Sequence, residues 1–232
     1  WFSNQGRYGQ YDSAITLVAK TADRAEWTDD SYNFSDKYDD TLLWYLTQVD
    51  PNTNNFIVLH IMGSHIYYNN RYPTDFNQWH GDSEVSSPES YANSIHYTDY
   101  ILSQAFDYAQ KNLNLRAMVY FSDHGENLEI SHNPDVFSYD MVRIPMFIYL
   151  SPEYQQVLPG RTRAIRYHRS RYFTNDMLYD TISGLLNAPS SRYIEAQDLT
   201  SPNYAYTRAN LTTMLGQQTL TDDPKGGTEQ GF

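Results

Sequence analysis

The chain has 232 residues, of which 40% are hydrophobic and 19% charged, so it is long enough to bury a sizeable core and reads as one ordinary globular domain. A formal net charge of −12 repels a phosphate backbone, so nucleic acid is not an expected partner, and the lack of cysteine removes disulfides, thiolate metal ligands and a cysteine nucleophile. No stretch reaches the roughly 18 apolar residues that span a bilayer, and the opening Trp1-Phe2-Ser3-Asn4-Gln5 is neither a signal peptide nor a start methionine, so a piece of a longer chain is expected.

In chain order, the first periodic segment spans about 38 to 49, where Leu42, Leu43, Tyr45, Leu46 and Val49 give a helical stripe. "NFIVLHIMG" (55–63) is short, apolar and β-branched, which predicts a buried strand. A long helix is predicted from about Tyr91 to Asn112, with Ile95, Ile101, Leu102, Ala105, Phe106 and Ala109 at helical spacing. "RAMVYFSD" (116–123) and "IPMFIYL" (144–150) read as two further buried strands. Residues 161–171, "RTRAIRYHRSR", hold five of the 16 basic residues, either as a solvated face or as a contact for anionic lipid or phosphate. A last helix is predicted over about 174–186, capped by Thr174 or Asn175. From Thr219 the composition is that of a disordered end, which places a domain over 1–218 and a tail over 219–232.

Strands separated by helical runs imply an α/β fold with a largely parallel sheet covered by helices on both faces. Ligands of such sheets bind beyond the carboxyl ends of the strands. Two of the three strands end in histidine-bearing sequence, "LHIMGSH" and "FSDHGE", and the polar segments 64–90 and 124–143 are long enough to be functional loops. The 22 tyrosines suit carbohydrate or headgroup surfaces, although a half-buried structural ring is their commoner use.

Asp123 and His124 sit where a strand meets Gly125, a residue that allows φ > 0, and a carboxylate beside an imidazole is a mixed donor set for Zn²⁺ or Mn²⁺. Taken alone, the dipeptide is better explained by a helix-capping Asp and a surface His. Four of the seven histidines, His60, His65, His124 and His132, lie just beyond two strand ends, and that concentration favours a metal or phosphate site. His80, His96 and His168 read as ordinary surface or helix histidines.

"SDHGE" after an apolar strand, with "LHIMGSHIYYNNRYP" and "NSIHYTDYIL" before it, resembles the phosphoethanolamine transferases of the alkaline phosphatase and sulfatase superfamily, enzymes of the Gram-negative inner membrane. "SNQGRYG", "YDDTLL", "VRIPMFIYLS" and "YFTNDMLYDTISGLL" extend the resemblance over most of the chain. "SDHGE" is shared with sulfatases and phosphoglycerol transferases, whereas its combination with "GSHxxYxxRYP" is more specific to phosphoethanolamine transfer.

The resemblance implies an alkaline phosphatase/sulfatase-like fold lacking its N-terminal unit, and a periplasmic domain tied to the inner membrane by helices outside this sequence. It implies that Asp123 and His124 ligate zinc, with one or two ions bound, and that His65 contacts a second metal or the transferred phosphoryl group with His60 close by. His132 stands near the family's downstream catalytic histidine, and Glu126 would support the site. Asn4, Gln5 and Arg7 would contact headgroup or phosphate, with loop geometry an equal alternative, and Arg71 would be a structural ion-pair residue. In the family a threonine attacks phosphatidylethanolamine, carries phosphoethanolamine covalently, and passes it to lipopolysaccharide (lipid A or core) or a related periplasmic glycan. That threonine and a glutamate ligand are expected before Trp1, since Thr16, Thr21 and Thr28 lie in the wrong context, so the chain alone is expected to be inactive. A sulfatase or phosphoglycerol transferase, or a non-catalytic lipid- or glycan-binding periplasmic domain, are the alternatives.

Overall fold

The structure, a computed structural model, describes residues 1–7, 13–29, 36–80, 87–133 and 135–226. The centre of the 64–90 loop (81–86) and the end of the expected tail (227–232) thus lie outside the described residues. Where composition reads as one domain, the contacts fall into two units, Trp1–Leu115 and Arg116–Phe232.

In the first unit, β1 (Phe2–Ser3), β2 (Glu26–Trp27) and β3 (Leu59–His60) form a parallel sheet in the order β2-β1-β3. The strand predicted over 55–63 is paired only at Leu59–His60, because its neighbour β1 is itself two residues long and a ladder cannot outrun its partner. Helix α1 spans Ser13–Ala19 and α2 spans Thr41–Leu46, shorter than the predicted 38–49. At its end the bonds tighten, Val49 N–H reaching the Leu46 carbonyl at 3.2 Å, so the periodic segment continues as turns.

Helix α3, Pro88–Asn112, begins three residues before the predicted start. Ser87 caps it by accepting the Ser90 N–H at 3.1 Å, Pro88 opens the first turn and Glu89 comes next. Its buried face is Ser90, Asn93, Ser94, Tyr97, Thr98, Ile101 and Ala105, while Ile95 of the expected stripe faces outward. Asn93 explains a polar buried face: its Oδ1 accepts the Gln78 and Trp79 N–H groups at 3.0 and 3.1 Å, and its Nδ2 donates to Asn77 and Tyr72. The helix thereby holds the segment after His65, and Tyr97 and Ile101 pack on Tyr72 beside it.

In the second unit β4 (Ala117–Phe121) and β5 (Met146–Leu150) lie inside the two predicted strands, but they pair antiparallel, Ala117 opposite Leu150 and Phe121 opposite Met146. A parallel pair needs a crossover connection, usually a helix, and the described residues of the connection from 122 to 145 form a 3₁₀ turn at Tyr139–Val142 and no α-helix. Helices α4 (Pro152–Val157), α5 (Pro159–His168) and α6 (Leu178–Leu185) come after β5. The helix predicted over 174–186 starts as a 3₁₀ turn at Asn175–Met177, and neither Thr174 nor Asn175 caps it. Met177, Leu199, Tyr204 and Leu211 form the apolar core. Beyond it, β6 (Thr212–Thr213) and β7 (Gln218–Thr219) pair antiparallel. Of the expected tail, residues 219–226 are tied to the 139–143 segment: Tyr139 donates to the Thr219 carbonyl, Arg143 pairs with Asp223, and Lys225 bonds Asp140. Among the described residues no helix is long and apolar enough to cross a membrane.

Candidate active site

At the end of β4 the chain turns through Ser122–Glu126. Asn175, freed from capping, donates its amide to the carbonyls of Ser122 and Asp123 at 3.1 and 3.0 Å, and Ser122 Oγ donates to the His124 carbonyl at 2.7 Å. Gly125 N–H donates to the Met141 carbonyl at 2.6 Å. The need for glycine differs from the expected one. Gly125 is absent from the described positive-φ glycines, Gly63 and Gly216, but a Cβ on it would overlap the carbonyl oxygens of Asp140 and Arg143. Close approach of two backbone segments, rather than a left-handed conformation, fixes this residue.

The turn presents Asp123, with 81% of its side chain exposed, beside His124. The Asp123 carboxylate accepts the His124 N–H at 3.0 Å, and His124 Nδ1 lies 2.7 Å from the Gly125 carbonyl. A carbonyl only accepts, so the proton sits on Nδ1 and the lone pair is left at Nε2, 3.9 Å from Asp123 Oδ1. The His132 ring is 4.7 Å from that of His124, centroid to centroid, and its Nδ1 lies 3.1 Å from Glu126 Oε2. The Glu126 side chain is only 4% exposed, and its other oxygen has no hydrogen-bond partner among the described residues.

This donor set can be tested for zinc. Two donors of a tetrahedral zinc site stand about 3.4 Å apart, so the 3.9 Å between His124 Nε2 and Asp123 Oδ1 closes with a small rotation of an exposed carboxylate. The Nδ1–carbonyl bond is the orientation that metal-binding histidines adopt. Among the described residues no group of three such side chains forms a cation site, so the pair fits part of a ligand set.

In the first unit the end of β3 carries the other histidines. His60 Nδ1 lies 3.0 Å from Ser3 Oγ, and its ring meets Trp1 edge-on. Gly63, at φ +58°, turns the chain toward His65, and buried Arg71 clamps the turn by donating to the carbonyls of His65 and Ile66 at 3.3 and 3.1 Å. Arg71 therefore serves as a backbone clamp, with Asp39 as a nearby opposite charge.

Asp39 is the residue that sequence reading missed. It is buried, and its carboxylate accepts from Asn4 Nδ2 (2.8 Å), Met62 N–H (2.9 Å) and Gly63 N–H (2.9 Å). Burial pushes its carboxyl above the usual range, against those three bonds, which pull it down. The signal was present in "YDDTLL", where one aspartate of the pair before a helix need not face water.

Asn4 is 0% exposed, with its amide committed to Lys37 O and Asp39 and its Oδ1 accepting from Thr28 at 2.5 Å. From there it cannot contact a headgroup, and the expectation of substrate contact gives way to a structural role. Gln5 donates to the Ile61 carbonyl at 2.9 Å, and the Arg7 guanidinium lies 4.9 Å from the centre of the Trp27 ring. The hydroxyls of Thr16 and Thr21 donate to the carbonyls of Arg7 and Val18.

The Sulfatase family profile matches residues 1–188. The chain is 35% identical over 130 residues to phosphoethanolamine transferase OpgE of Escherichia coli (strain K12), an alignment covering 54% of this chain and 24% of that protein. It is 29% identical over 163 residues to the Kdo(2)-lipid A phosphoethanolamine 7''-transferase of the same strain, covering 61% and 28%. The chain thus spans about a quarter of the length of these relatives. The crystal structure of the C-terminal periplasmic domain of EptC from Escherichia coli, in complex with Zn, superposes with a TM-score of 0.79 at 21% identity, covering 100% of this chain and 71% of that one. The fold is thus the alkaline phosphatase/sulfatase-like one anticipated from the motifs, a mixed α/β arrangement with a parallel sheet. With the profile matched over more than half its length and phosphoethanolamine transferases among its relatives, the chain belongs to the sulfatase family.

Proposed function

We propose that this chain carries part of the active site of a phosphoethanolamine transferase working on the periplasmic side of a Gram-negative inner membrane. The donor is phosphatidylethanolamine and the acceptor a lipopolysaccharide or related periplasmic glycan. The observation that carries this reading is the turn after β4, where Asp123 and His124 stand side by side and Glu126 orients His132. That relatives of this chain are phosphoethanolamine transferases supports the class of group transferred.

Asp123 and His124 Nε2 are the proposed zinc donors, and a zinc ion would supply Lewis-acid stabilisation of charge on the phosphoryl oxygens. Glu126 accepts the Nδ1 proton of His132, which leaves Nε2 to take a proton from an attacking hydroxyl or return it to a departing oxygen. His65 is proposed to contact the phosphoryl group, and His60, Gln5 and Arg7 the headgroup. Asp39, Asn4 and Arg71 hold the His65 turn in place. The nucleophile is assigned to no residue of this chain.

Zinc content and transfer measured on the complete gene product test this. Asp123→Ala and His124→Ala are expected to lose zinc and transfer together. His132→Ala keeps zinc and slows transfer about 10²- to 10⁴-fold, the contribution of a general acid–base group. Wild-type zinc and wild-type rates in both Asp123→Ala and His124→Ala would sink the reading.

A further inference from the structure

The second unit contains an open cavity of about 520 Å³ beside α5, within the range of about 300–1,000 Å³ typical of small-ligand sites. No residue of the Ser122–Glu126 turn lines it. One wall is rigid. Asp198, fully buried, accepts from Arg161 Nη1 at 3.1 Å, Tyr193 OH at 2.6 Å and Thr200 Oγ1 at 2.8 Å, so the Arg161 charge is already matched.

The other charged groups of the lining are not matched. Arg163 is exposed and makes no ion pair or hydrogen bond among the described residues, and Glu195 takes only a hydroxyl bond from Ser201 at 2.9 Å. Tyr167, half exposed, and Tyr193 add two aromatic rings. A cation, an anion and two tyrosine rings around one cavity are complementary to a ligand that itself carries both charges. The guanidinium suits phosphate, and a carboxylate with tyrosine faces suits an ammonium group. A purely anionic ligand would meet Glu195 as a repulsion.

We propose that this cavity binds a zwitterion bearing a phosphate and a primary amine, with Arg163 on the phosphate and Glu195 and the tyrosine rings on the ammonium. The biological sense of the site rests on the transferase reading, whereas the binding itself requires neither zinc nor the β4 turn. The chemistry is shared by a lipid headgroup, which is a phosphodiester, and by a free phosphomonoester.

Calorimetry on the chain in the presence of a chelator tests it with four probes: O-phosphoethanolamine, glycerophosphoethanolamine, inorganic phosphate and ethanolamine. At least one of the two zwitterions is expected to bind at least about fivefold more tightly than phosphate or ethanolamine, the worth of one further exposed charge contact. A preference for the diester identifies the lipid as source, and a preference for the monoester identifies the free compound. Arg163→Ala should weaken both zwitterions and phosphate, while Glu195→Gln, which keeps an acceptor for Ser201, should weaken the zwitterions and, by lifting the repulsion, tighten phosphate. Zwitterions bound no more tightly than phosphate, unchanged binding in both variants, or no binding of any probe would each overturn the proposal. Asp123→Ala and His124→Ala should leave this binding intact, so failure of the transferase reading and failure of the cavity are read separately.

Discussion

Asp39→Ala removes the acceptor of three buried donors at once: the Asn4 amide and the N–H groups of Met62 and Gly63. Each buried donor left without a partner costs about 1–3 kcal/mol. Relief from burying a charge offsets part of that, and disrupting such a partnered buried carboxylate typically costs about 3–5 kcal/mol. We expect a loss of about 3 kcal/mol, which at a urea m-value of about 1–3 kcal/mol/M lowers the midpoint by about 1–3 M. Asp39→Asn keeps one acceptor but sets an amide N–H₂ against one of the N–H donors, and should lose about 1–3 kcal/mol. The assay is tryptophan fluorescence during urea unfolding, and it is selective: all four tryptophans, Trp1, Trp27, Trp44 and Trp79, lie in the first unit. The same burial predicts a pH dependence. The folded carboxyl sits above its unfolded value, so the fold holds the proton more tightly, and this group's contribution is full below the unfolded pKa and lost as pH rises through the raised one. Between those two values the Asp39→Asn chain should show a flatter dependence of stability on pH than wild type. An Asp39→Ala midpoint indistinguishable from wild type would refute the view that this carboxylate organises the His65 turn.

The geometry sets outcomes for four further variants. Gly125→Ala must push apart the backbone of the β4 turn and of 140–143, and should destabilise the second unit by about 1–3 kcal/mol for overpacking. It should also weaken zinc binding by Asp123 and His124, which a zinc titration would detect. Asp198→Ala leaves Arg161 and Tyr193 without their buried acceptor and should cost about 3–5 kcal/mol in thermal unfolding followed by circular dichroism. In the wild type, burial and the bond to Asp198 push the Tyr193 phenol up to about 12, so Tyr193→Phe should remove one late-ionising tyrosine from an alkaline absorbance titration. Ser87→Ala removes the cap of α3 and should cost about 1 kcal/mol in the tryptophan-reported transition.

Much of the local structure was legible in the sequence, because it depends on neighbours along the chain. The apolar runs around Val119 and Ile148 are strands, and the 3.6-residue rhythm ending at Asn112 is a helix. The histidines beyond the strand ends and the motif Ser122–Glu126 also identified the family before any coordinates, since these are short, contiguous signals. Glu126 was expected to support the motif, and its carboxylate lies 3.1 Å from His132 Nδ1.

What the tertiary structure alone decided is which distant residues complete each other's hydrogen bonds. Asn4 and Asp39 lie 35 residues apart, and the Asp39 carboxylate reaches Gly63 a further 24 along; no periodicity encodes such pairings. The same holds for Asn175, legible as a cap yet bonded to the Ser122 and Asp123 carbonyls 53 and 52 residues away. Strand direction was hidden too, because an apolar run carries no arrow, and β4 and β5 pair antiparallel through a connection whose length leaves either direction open. Composition along the chain fixes which segments can be buried, but a buried polar group must find its partner wherever the fold brings one, and that is decided in three dimensions.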